Sequence, residues 1–98
     1  MNQFTKEQEA LIKEQQEVIE VIKFMLKGTD YYYVFNNESN DVLRLGYDRV
    51  DSMIYGKYKD FKKQESDIKK DTKMREWFEK LENYVNKYKL DQVYEKQQ

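Results

Sequence analysis

A chain of 98 residues without cysteine, histidine or proline is excluded from disulfide scaffolds, thiolate chemistry, most zinc sites, Ser-His and Cys-His nucleophile pairs and any imidazole switch near neutral pH. Its 18 basic and 19 acidic residues leave a formal charge of -1, so no global field draws in nucleic acid or an anionic membrane. An aromatic content of 15%, with nine tyrosines, sets it apart from a disordered chain, and its length predicts one small domain spanning residues 1–98.

The opening MNQFTKEQEA lacks the basic-then-apolar pattern of a signal peptide, and Phe24-Met25-Leu26 is far too short to span a bilayer. The expectation is a soluble, cytoplasmic protein. Thr5 and Gln8 form a capping-box start, with Glu7 and Glu9 placed where the helix dipole favours them. A first helix is predicted from Lys6 to Lys27, with Leu11, Ile12, Val18, Ile19, Ile22, Met25 and Leu26 on one stripe. Val21 and Phe24 widen that stripe, so its second half is expected to be buried on more than one side. Lys23, Lys27 and Gly28 are stop signals.

Asp30 to Tyr47 is the one stretch where apolar spacing reads as alternating. A loop at Glu38-Ser39-Asn40 sets Phe35 against Leu43, Tyr33 against Leu45 and Tyr31 against Tyr47, predicting an antiparallel β-hairpin. Tyr31, Tyr33, Phe35, Leu43, Leu45 and Tyr47 then turn inward, and Tyr32, Val34, Val42, Arg44 and Gly46 face out. A two-stranded ribbon is marginal alone and needs helices on its main face.

Asp48 is the expected cap of a second helix running to about Lys63 on Val50, Met53, Ile54, Tyr58 and Phe61. Gly56 in its middle marks either close backbone approach or a break, and Met53-Ile54-Tyr55 could serve as a third strand. Gln64 to Thr72 reads as a polar connection with Ser66, Asp71 or Thr72 available as a cap. The last helix carries Met74, Trp77, Phe78, Leu81, Tyr84, Val85 and Tyr88 in one phase; Leu90, Val93 and Tyr94 leave that phase, predicting a kink or a short terminal segment. The fold expected from these elements is α+β: a long N-terminal helix, a central antiparallel β-hairpin and two C-terminal helices packed on it.

Lys57 to Arg75 holds eight basic residues against four acidic ones, a local surplus that phosphates could use. The interleaved acids weaken that reading and favour a solvated face. Asn36 to Asp41 lacks the central glycine and late Glu of a calcium loop. The triplets Asp60–Lys62, Asp67–Lys69 and Asp71–Lys73 lack the converging second carboxylate of a metal-dependent nuclease, so no catalytic residue, metal or cofactor is assigned.

What remains is a non-enzymatic protein-binding module. Its expected partner-binding residues are Tyr32, Val34, Val42 and Arg44 as an apolar centre, with Lys62, Lys63, Lys69, Lys70 and Lys73 docking an acidic surface. Small size and a Lys-, Asn-, Tyr- and Ile-rich composition suggest an inhibitor or modulator, encoded by a phage or mobile element, of a host protein such as a defence nuclease. Wide apolar stripes on the first and last long helices also suggest a homodimer. The alternative is a dimeric nucleic-acid-binding regulator using the lysines of 57–75.

Overall fold

The computed structural model describes residues 5–40 and 45–95, and every regular element among them is an α-helix. These are α1 (Lys6–Leu26), α2 (Tyr31–Glu38), α3 (Tyr47–Lys62), α4 (Glu65–Ile68), α5 (Thr72–Lys87) and α6 (Leu90–Glu95). α1 starts as the sequence predicts: the Gln8 N–H donates to Thr5 Oγ1 at 3.1 Å, and the Thr5 N–H donates back to Gln8 Oε1 at 2.9 Å. It stops at Leu26, whose carbonyl accepts from both the N–H and the hydroxyl of Thr29 at 2.9 and 2.7 Å. Gly28, at φ +89°, turns the chain there in a region that side chains rarely enter.

The predicted hairpin does not form, and the fold is all-helical over the described residues rather than α+β. Tyr31 to Glu38 coils as α2. Of the side chains expected to turn inward, Phe35 is 1% exposed, while Tyr31 and Tyr33 are 66% and 72% exposed. The buried spacing is helical: Tyr32, Phe35 and Ser39 lie three and four residues apart, on the side that packs against α1. The intended hairpin loop closes this helix instead. Ser39 is buried, and both its N–H and its hydroxyl donate to the Phe35 carbonyl, at 2.9 and 2.8 Å. A helix satisfies its backbone within eight residues, whereas a ribbon would leave two open edges to be covered. Leu43, Val42 and Arg44, which belonged to the second strand, lie outside the described residues.

The chain enters α3 through Gly46 at φ +84°, so Asp48 falls in the first turn instead of capping it. Met53, Ile54 and Tyr55 are helical, and no third strand forms there. α5 is capped by Asp71, whose Oδ1 accepts from the Met74 N–H at 2.9 Å. The predicted phase slip after Tyr88 is a true break: Lys89 adopts φ +53°, and α6 begins on a new axis at Leu90. α1 and α5 form the central pair, and α3 packs on both. α6 folds back on α3 and α5, while α4 bridges the last two long helices. Ile22, Val50, Ile54, Leu81 and Val85 sit at the centre of the core.

Gly56 neither breaks α3 nor meets a close neighbour, since a Cβ built there finds no atom within 4 Å. Replacing it should therefore remove only the helical penalty of glycine. Gly56→Ala is expected to stabilise the fold by about 1 kcal/mol, raising Tm by roughly 4–8 °C. Thermal and urea unfolding followed by circular dichroism measure this, and an unchanged or lowered midpoint would contradict a continuous α3.

Candidate interaction surface

Polar side chains bridge the helices around the apolar core. Gln15 is 0% exposed, and its Nε2 donates to the Tyr47 carbonyl at 3.1 Å and to Asp51 Oδ1 at 2.9 Å. The Tyr84 hydroxyl donates to the same oxygen at 2.5 Å, so one carboxylate on α3 gathers a side chain from α1 and one from α5. Tyrosine–carboxylate bonds recur around this centre. Tyr55 donates to Glu95 at 2.8 Å, Tyr58 to Glu82 at 2.9 Å and Tyr88 to Glu14 at 2.8 Å, each joining two helices. The Tyr94 hydroxyl donates to the Asp48 carbonyl at 3.0 Å.

These placements raise the phenols and lower two of their carboxylate partners, Glu14 and Glu95. Burial, then the bond to Glu95, pushes the Tyr55 hydroxyl up to about 12. Burial followed by the nearby carboxylate also raises Tyr84, Tyr58 and Tyr88. The Lys87 bond, helped by Tyr88, holds Glu14 below the usual carboxylate range, and Lys59 and then Tyr55 do so for Glu95.

The surface differs in character. On the outward arc of α2, Val34 is 57% exposed and joins Tyr31 and Tyr33 in presenting apolar area to solvent. Tyr32 is half-buried beneath them, its ring meeting that of Tyr33 edge-on at 5.5 Å. Lys57 reaches over Tyr31, with Nζ 5.6 Å from the ring centroid, and lies 4.0 Å from Asp60 Oδ2. A cleft of about 270 Å³ opens beside Tyr31, walled by Lys57, Asp60, Phe61 and Lys63.

The lysines singled out from the sequence are divided by the fold. Lys62 bonds Glu65 at 3.2 Å and Glu82 at 3.3 Å, Lys69 bonds Glu65 at 2.8 Å, and Lys70 lies 3.6 Å from Asp67. Lys63 and Lys73 are exposed and enter no ion pair among the described residues. Of the five, Lys63 shares the cleft with Tyr31. Val34 is exposed on a helix instead of on the outer face of a ribbon; Val42 and Arg44 lie outside the described residues.

Sequence reasoning missed Tyr31 and Tyr33 as surface groups because it assigned them to the core, and it counted Lys57 only within the basic stretch 57–75 because a hairpin offered no reason to bring α3 beside them. It also expected Phe24 to be buried, whereas Phe24 is 49% exposed. Among the described residues, no group of three or more carboxylates is placed to hold a metal ion, and no helix is long and apolar enough to cross a membrane. No family model matches the chain, and no curated protein or solved structure matches it.

The raised phenols give the fold an alkaline limit. A tyrosine whose folded pKa exceeds its unfolded value near 10 contributes stability below that value and loses it as pH climbs toward the folded one. The urea midpoint should therefore fall between about pH 10 and the Tyr55 value of about 12. Lys62, raised by Glu65 and then Glu82, acts in the same direction. Tyr55→Phe removes one such group and should make the fall shallower; a midpoint that stays level across this interval would contradict the tyrosine–carboxylate bonds.

Proposed function

We propose that this chain is a non-enzymatic protein-binding module that modulates another protein by covering part of its surface. The carrying observation is the outward arc of α2, where Tyr31, Tyr33 and Val34 are each more than half exposed on an eight-residue helix. Tyrosine supplies large, rigid contact area with a hydroxyl at its tip, and such residues commonly anchor protein interfaces. Lys63 at the edge of the adjoining cleft supplies a cation without an ion-pair partner among the described residues. The partner that fits is an apolar groove edged by carboxylates, so that the phenol rings enter the groove and Lys63 meets its rim.

The same reading makes the chain an inhibitor or modulator acting in the cytoplasm, on a host protein such as a defence nuclease if a phage or mobile element encodes it. The absence of cysteine and histidine supports a surface-occupying role over a chemical one. The pairing of Lys62, Lys69 and Lys70 with acids weighs against a nucleic-acid regulator, since paired ammonium groups release few counterions from phosphates.

A paired capture experiment tests this. The full chain and a Tyr31→Ser, Tyr33→Ser, Val34→Asp variant are immobilised, retained proteins are quantified by mass spectrometry, and any selectively retained protein is purified and titrated calorimetrically. The expected result is one protein lost from the variant, with affinity reduced by roughly a hundredfold or more, as for removal of central anchors. Equal retention by both chains, or steeply salt-dependent binding to duplex DNA that the variant keeps, would overturn the reading.

A further inference from the structure

A second surface, on the side of the bundle formed by α1 and α5, carries its own complement. The two helices run antiparallel, because Glu14 meets Lys87 while Phe24, further along α1, meets Trp77, earlier on α5. Between them lies an open groove of about 530 Å³ floored by Val18, Val21 and Tyr84. Its rims differ in charge: the α1 side carries Glu17 and Glu20, the α5 side Lys80. At one end the rims meet, with Lys87 Nζ 2.9 Å from Glu14 Oε1. Towards the other end they stand apart: Glu20 bonds Lys23 of its own helix at 3.1 Å, while Glu17 and Lys80 enter no ion pair among the described residues. There the half-exposed ring of Phe24 lies stacked on Trp77 at 5.4 Å, with an apolar edge open to solvent.

We propose that this groove is the interface of a homodimer in which a second copy packs the same face against it. A two-fold axis lying in the face can run along the helices or across them. Along the helices, it sets α1 of each copy over α5 of the other. Glu17 and Glu20 then oppose the partner copy's lysine rim twice over, and the two Phe24–Trp77 stacks meet at one level. Every neighbouring helix pair in the resulting four-helix layer is antiparallel, which the helix dipoles favour. Across the helices, the axis would set acid against acid and lysine against lysine. Charge thus selects the first arrangement, and the apolar floor supplies the burial that sustains it. A second copy supplies this alternation by symmetry.

Sedimentation equilibrium of the full chain over a concentration series tests the proposal, with circular dichroism confirming that each variant is folded. The wild-type chain should reach twice its 12.1 kDa mass. Lys80→Glu should weaken dimerisation roughly tenfold or more by placing like charges in register, and Phe24→Glu should abolish it. Combining Lys80→Glu with Glu17→Lys and Glu20→Lys in one chain should restore it, because every cross-pair is then reversed. A wild-type chain that stays monomeric at every concentration overturns the proposal. So does a dimer indifferent to Lys80→Glu, or a triple reversal that fails to recover association.

Discussion

A glutamine without solvent contact in the middle of the longest helix constrains everything packed around it. Burying the Gln15 Nε2 donors unpaired would cost on the order of 1–3 kcal/mol, so α3 must arrive with an acceptor at the right height. It does so with the Asp51 carboxylate and the Tyr47 carbonyl, at 2.9 and 3.1 Å. The same Asp51 oxygen then takes the Tyr84 hydroxyl, which sets the height of α5. Hydrophobic contact among Ile22, Ile54 and Leu81 tolerates sliding along the helix axes; hydrogen bonds of this length do not. The apolar core supplies most of the driving force, and the polar centre decides the register.

The tyrosines extend that logic outwards. A chain this charged has little aliphatic surface to bury, and its phenols serve as both apolar mass and hydrogen-bond donors. Tyr55, Tyr58, Tyr84 and Tyr88 each press a ring into the bundle and direct a hydroxyl to a carboxylate on another helix. Tyr94 does the same with a backbone carbonyl. Tyr31 and Tyr33 stand apart from this pattern, on a helix that packs on α1 through Phe35 and the half-buried Tyr32 and leaves these two rings in solvent. Interior tyrosines are explained by the fold they stabilise. Tyr31 and Tyr33 on α2 bury little of their rings in it.

The long helices were legible because their apolar residues keep one phase over several turns and their ends carry recognisable chemistry. Thr5 with Gln8, Gly28 and Asp71 all act at the boundaries where their side chains or backbone freedom predict. The break after Tyr88 was visible as a loss of phase. α2 was not legible, for a definite reason. Tyr-Tyr-Tyr-Val-Phe offers an apolar residue at every position, so it satisfies a period of 2 and a period of 3.6 equally, and only the packing of Phe35 against α1 decides between them. Turn chemistry misled in the same way: Ser39 is as suited to closing a helix by bonding back to Phe35 as to a hairpin loop. That one misassigned segment also scattered the candidate site. Val34 is exposed in either geometry, but the pairing of Lys62 with Glu82 depends on α3 and α5 lying side by side, which no local pattern discloses.

The register set at Gln15 fixes how α1, α3 and α5 pack and with it the α1–α5 groove, and the glutamine's own side-chain protons report on it. Both hydrogens of Nε2 are donated inside the bundle, so in a proton NMR exchange experiment they should persist far longer than those of the exposed Gln16 and Gln92, with cross-relaxation to the ring protons of Tyr84. Side-chain amide signals of Gln15 that exchange as fast as the exposed glutamines, or that show no proximity to Tyr84, would contradict the packing of the three long helices.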